Sequence, residues 1–283
     1  MADIGVSFNK CGADVSDEAH LALLREIGYQ SFFTSFFEEE RIAALKKESE
    51  RLGLRYESIH APFGGVDCIW EEGEKGEEYV RTLYRVADVC AHYGISYFTL
   101  HCGNVPRRNI DVTSPQHWSL LGKERFRSVV RYAAERGVVA AFENVEFPHF
   151  ELKLLLESLR EEQREGLGFT WDVGHQHCYP APLSLPEEFS DLLVGTHIHD
   201  NFGQTDPHVI TWDDDSHILP FDGTIDFRNV ARKLNACGYT GTLTLEIGKK
   251  PNVPWYGQMD AETYLREAYV RAERIGMMMT EKT

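Results

Sequence analysis

The sequence predicts a single (β/α)8 TIM barrel over residues 1–283, on three observations. Short apolar runs alternate with longer segments of helical period throughout the chain, with no break in composition. The 283 residues, 42% of them hydrophobic, exceed a typical small domain but suit a one-domain α/β barrel, which needs about 250 residues. Turns that follow helices are short, whereas several that follow strands are long, the longest running from Asn201 to about Phe221. Barrels carry their chemistry on those strand-following loops.

The elements follow in order. DIGVSF reads as the first strand, and DEAHLALLREIG as an amphipathic helix with Asp17 near its start. YQSFFTSFF is a strand, and EERIAALKKESERLG a helix stopped by Gly53. LRYESIHAPF and EEYVRTLYRVADVCAHYG repeat the pattern, with Gly94 at the helix end. SYFTLHCGN with ERFRSVVRYAAERG, and VVAAFENVE with FELKLLLESLREEQ, form the fourth and fifth units. GLGFTWDVGH is followed by a short helical piece near LPEEFSDL; VGTHIHDN pairs with IDFRNVARKLNACG, and TGTLTLEIG with AETYLREAYVRAERIG. A doubly wound open sheet would show a Gly-rich phosphate fingerprint after an early strand, and none stands there.

Composition narrows the class. A core of this size needs no disulfide or metal to fold, so a bound metal would serve chemistry. MADIGVSFNK lacks a basic segment followed by an apolar one, and no stretch reaches the roughly 18 to 20 apolar residues of a membrane span. Six scattered cysteines without a CxxC pair fit reduced thiols. The expectation is a cytoplasmic protein with no membrane partner. A net charge of −16 repels phosphate backbones, so nucleic acid is not an expected partner. A homodimer is the default expectation for assembly.

Polar residues recur at one point in successive units. The third strand ends in His60 and the fourth in His101; the fifth ends in Glu143-Asn144 and the sixth in Asp172-Val173-Gly174-His175. The seventh carries His197-Ile198-His199-Asp200-Asn201, and the eighth ends in Glu246. One histidine after a strand is more often a satisfied loop residue than a ligand. Six consecutive units with an ionisable group on one rim would repel one another unless a cation sat between them. Carboxylate and imidazole donors suit Mn²⁺, Mg²⁺, Co²⁺ or Zn²⁺.

These strand-end motifs resemble the xylose isomerase-like barrel superfamily, which includes sugar phosphate isomerases/epimerases, ketose 3-epimerases, inosose dehydratases and the endonuclease IV group (AP endonuclease family 2). The likeness covers about residues 3 to 275. It implies a four-ligand metal site on Glu143 in FENVE, Asp172 in WDVGH, His197 in HIHD and Glu246 in LEIG. His197 is the implied ligand because it stands three residues before an acidic residue, Asp200, although period-two alternation puts His199 on the same strand face. His60, His101, His175 and a D-x-H after the seventh strand resemble the extra ligands of endonuclease IV-type sites. The D-x-H is Asp206-Pro-His208 or Asp215-Ser-His217; the run HILPFDGTIDF favours the second, though Asp222 stands where the family often has glycine. These residues, with His199, are candidates for further metal or for hydrogen bonds to substrate.

The resemblance implies isomerisation or epimerisation of a sugar or sugar phosphate through an enediolate. Glu143 and Glu246 would act as acid/base groups, and His175 would hydrogen-bond a substrate oxygen. Trp70, Phe63 and the Phe-rich second strand (Phe32, Phe33, Phe36, Phe37) are candidates for an apolar wall. The ketose 3-epimerase subgroup has an acidic residue six positions after the first ligand Glu and an arginine six after the ligand His; here these are His149 and Gly203. That departure points to another isomerase/epimerase or an inosose-type dehydratase. Metal-dependent phosphodiester hydrolysis is the other alternative. Arg107 and Arg108 are the candidates to hold an anionic group.

Overall fold

The computed structural model describes residues 2–103, 119–145, 149–179, 184–206, 213–249 and 253–281. Eight strands are present: β1 (Ile4–Ser7), β2 (Ser31–Ser35), β3 (Arg55–His60), β4 (Tyr97–Leu100), β5 (Val139–Glu143), β6 (Leu167–Asp172), β7 (Leu193–His197) and β8 (Leu243–Leu245). They pair in parallel in the order β7-β6-β5-β4-β3-β2-β1-β8. The seam closes through a parallel bridge from Ile198 to Leu245, where Ile198 N–H donates to Thr244 O and Glu246 N–H to Ile198 O. Eight parallel strands ringed by helices make a (β/α)8 TIM barrel.

The helices are α1 (Asp17–Ile27), α2 (Glu39–Leu52), α3 (Glu74–Tyr93), α4 (Leu120–Ala134), α5 (His149–Glu162), α6 (Val173–Cys178), α7 (Leu185–Glu188), α8 (Phe227–Ala236) and α9 (Ala261–Thr280). The predicted glycine stops are real. Gly53 and Gly94 adopt left-handed conformations, at φ 68° and 64°, where their amides bond carbonyls of the last helical turns. Side chains of Ser16, Ser119, Asp226 and Asp260 cap α1, α4, α8 and α9. Each long helix buries one stripe against the sheet; α3 turns Tyr79, Val80, Leu83, Val86, Ala87 and Cys90 inward.

Three expectations are corrected. The second strand is shorter than YQSFFTSFF, since Phe36 and Phe37 lie beyond Ser35. The sixth strand does not run on through His175: the Asp172 carboxylate accepts the His175 amide at 2.5 Å and starts α6 at Val173. Trp70 is not a wall of the site. It ends a 3₁₀ turn (Val66–Trp70), rings with Phe126 at 5.4 Å and donates its indole N–H to Cys102 O, so it belongs to the packing between barrel and α4. All six cysteines are free. Among the described residues no helix is long and apolar enough to cross a membrane.

Candidate metal centre

Parallel register brings the strand-end residues together. Asp172 and His197 are register partners across β6 and β7, while Glu143 ends β5 beside them. His60 ends β3, and His101 and Glu246 stand one residue past β4 and β8. Three donor groups result, each with its ligand atoms within 4.8 Å: Glu143, Asp172, His197 and Glu246; His60, His101 and Glu143; and His175, His199, Asp215 and His217. The first is the set implied by the resemblance, with His197 and not His199. His199 instead joins the third. Asp206 falls in none of these groups, and His208, Arg107 and Arg108 lie outside the described residues.

Glu143 is the hinge of the centre. Its Oε1 lies 2.6 Å from His197 Nδ1, and its Oε2 lies 3.1 Å from His60 Nε2 and 3.3 Å from His101 Nε2. Burial opposes its ionisation, but the His197, His101 and His60 imidazoles outweigh that and hold the carboxyl well below its ordinary range. Glu246 Oε2 is 3.2 Å from His197 Nδ1 and is likewise held low, against burial, by His197. In the third group Asp215 Oδ2 sits 2.8 Å from His217 Nε2 and 3.2 Å from His175 Nε2. His199 stacks on His217 at 3.8 Å and reaches Asp172 Oδ1 at 3.1 Å.

The donor set fits a divalent cation. Asp172 Oδ2 and Asp215 Oδ1 are buried with no hydrogen-bond partner, which is costly unless something else coordinates them. Three rings show the outer-sphere pattern that orients ligating histidines. Nδ1 of His60, His175 and His217 lies 2.8 Å from the carbonyls of Ala61, Asn144 and Glu246, so the paired N–H donates there and Nε2 is left facing the centre.

The role of Asn144 and the cavity residues Ser7, Asn9, Lys10 and Ser35 escaped the sequence reading. Asn144 is fully buried and ties β5 to β6 by donating to Asp172 O and accepting the Asp172 amide. Its place directly after Glu143 was the available signal. Of the Phe run, only Phe33 meets the metal-ligand set, stacking on His197 at 4.7 Å, whereas Phe32 stacks on Tyr56 in the core. Phe63 is half exposed and stacks on His101 at 5.0 Å. A cavity of about 420 Å³ opens beside the centre, lined by Ser7, Asn9, Lys10, Phe33, Ser35 and Glu246 among others. The Glu246 side chain is 21% exposed there, whereas Glu143 is 0% exposed.

The family model described as xylose isomerase-like TIM barrel matches residues 21–269. The chain belongs to that family. An uncharacterised protein of Sinorhizobium fredii is 26% identical over 297 residues, covering 92% of this chain and 88% of its own. Among solved structures, L-ribulose 3-epimerase superposes with a TM-score of 0.74 at 17% identity, covering 99% of this chain and 95% of that one. D-allulose 3-epimerase from Methylomonas sp., solved with D-allulose, gives 0.70 at 15% identity with 96% of each chain covered. At those identities the structural likeness establishes the barrel.

Proposed function

We propose that this xylose isomerase-like barrel is a divalent-metal-dependent isomerase or epimerase acting on a small polyhydroxylated carbonyl compound, such as a sugar, sugar phosphate or inosose. One observation carries the reading: Glu143, Asp172, His197 and Glu246 converge at the mouth of the barrel, with Glu246 opening into a polar-walled cavity. The superposed epimerases of L-ribulose and D-allulose support the substrate class. Mn²⁺, Zn²⁺, Mg²⁺ or Co²⁺ held by the four residues would supply Lewis-acid stabilisation of charge on the substrate oxygens.

The chain's own residues supply the rest. Glu246, kept ionised and facing the cavity, removes the proton beside the substrate carbonyl to give an enediolate. Glu143, fully buried beside His60 and His101, is the second acid/base group. His175 is fixed by Asn144 O, with Nε2 3.2 Å from Asp215 Oδ2, and is the proposed hydrogen-bond partner of a substrate oxygen. Ser7, Asn9 and Ser35 offer hydroxyl and amide contacts to a polyol, and Phe33 forms the apolar face of the cavity. Incubation in deuterated water with a panel of ketoses, ketose phosphates and inososes tests the proposal. Deuterium is expected at the carbon beside the carbonyl, and a complete lack of exchange across the panel sinks it. Loss of water from an inosose with the same exchange would select the dehydratase variant of this chemistry.

A second reading has its own observation. The His60–His101–Glu143 and His175–His199–Asp215–His217 groups adjoin the first and could hold further ions. Two or three ions suit phosphodiester hydrolysis. The net charge of −16 weighs against a duplex substrate. Metal-dependent cleavage of an abasic-site duplex by the fully zinc-loaded protein would establish hydrolysis; an inert protein removes it.

A further inference from the structure

We propose that Asp200 is a positioning residue that aims Asp215 and His217 at the metal centre by clamping the loop after β7. The inference rests on reading the centre as a metal site. Asp200 is fully buried and touches none of the three donor groups through its side chain. Its carboxylate instead accepts four backbone N–H groups. Oδ1 takes those of Asn201 at 2.9 Å and Ile225 at 3.1 Å, and Oδ2 takes those of Phe221 at 3.0 Å and Gly223 at 2.9 Å. Its own backbone pairs in both directions with Ile218, at 2.9 and 3.0 Å. One residue thus grips the loop at Ile218, Phe221, Gly223 and Ile225.

What the grip holds is strained. His217 and Phe221 are non-glycine residues at positive φ, 45° and 73°, conformations that persist only where surrounding contacts over-determine them. His217 is next to Ile218, and Phe221 is itself one of the clamped amides. The turn at His217 sets its ring on His199 and 2.8 Å from Asp215, which also reaches His175. Gly223 completes the device, because a Cβ there would stand 2.3 Å from Asp200 Oδ1 and 2.2 Å from Asn201 O. Asp222 anchors the outer side of the same loop to Arg271 at 2.6 Å and to the Tyr256 hydroxyl at 2.7 Å. That resolves the role of the residue standing where the family often has glycine. The two anchors are separable, Asp200 holding the loop's backbone amides and Asp222 facing α9.

The test titrates cobalt(II) into the full-length protein and follows its visible spectrum, with total metal measured by elemental analysis and amide exchange at Gly223 and Ile225. Asp200→Asn replaces one acceptor by a donor that faces two N–H groups. It is expected to speed exchange at both amides and to weaken one class of cobalt site on the order of 10- to 100-fold, as loss of outer-sphere support does elsewhere. Asp222→Asn is expected to leave the spectrum unchanged. Should Asp200→Asn fail to fold, Gly223→Ala breaks the same clamp with Asp200 in place and carries the same expectation. Cobalt affinity and spectrum identical to wild type in the folded clamp variant overturn the positioning role and leave the metal reading intact. A wild-type protein that takes up no cobalt overturns the metal reading and this role with it.

Discussion

Glu246 and Glu143 share an imidazole, His197, yet one opens on the cavity and the other has no exposure. The two carboxylates should therefore fail differently. Glu246→Gln is expected to cut solvent deuterium exchange about 10²- to 10⁴-fold, the range typical of a lost general base, while most of the metal stays bound. Glu143→Gln is expected to lose metal as well, because that carboxylate serves two donor groups. Elemental analysis beside the exchange assay separates the outcomes, and equal metal loss in both variants would refute the asymmetry. The histidines add a pH signature. Burial works against a charged His217 ring, but Asp215 outweighs it and raises its pKa from 6.5 to about 9. In metal-free protein that pair stabilises fully below 6.5, and the gain is lost as pH rises through 9. Metal capture runs the other way, since a ligating imidazole must be neutral. Urea melts of metal-free protein should weaken across this window while metal affinity strengthens; parallel trends would contradict the assignment.

At the scale of elements, the contact of α4 with the 3₁₀ turn after β3 shows packing without chemistry. The Trp70 ring lies where a Cβ on Gly122 would approach within 2.2 Å, and it rests on Phe126. Trp70→Ala is expected to cost about 3–5 kcal/mol without altering metal content, as thermal melts and elemental analysis can check; metal loss at unchanged stability would return Trp70 to the site. The start of α6 behaves oppositely. A Cβ at Gly174 would stand 2.0 Å from the His199 ring, so Gly174→Ala should displace that imidazole and lower metal affinity with modest loss of stability. Unchanged binding would show that His199 is no ligand. The alternation of apolar and helical segments foretold nearly every element here. It could not foretell α6, because a strand-end Asp that caps a helix starting at the next residue reads locally like a continuing strand.

For the whole molecule, a large apolar core includes Phe98, Phe142, Phe169 and Leu245 at 0% exposure. Metal removal should thus leave the fold standing. Chelated protein is expected to keep its far-ultraviolet dichroism and to lose only the linkage term, about 2.7 kcal/mol for metal at a hundred times its Kd. Unfolding on chelation would make the metal structural. The sequence by itself determined the barrel, because alternation of periods is local information repeated eight times. It also determined which strand ends carry ionisable groups, since each follows its own apolar run. Tertiary structure alone decided the rest of the partition: His199 with His175, Asp215 and His217, and Glu143 shared between two sets. Sequence spacing cannot express that division. It depends on register between strands, on a loop that carries His217 at positive φ, and on which side chain burial leaves open to the cavity.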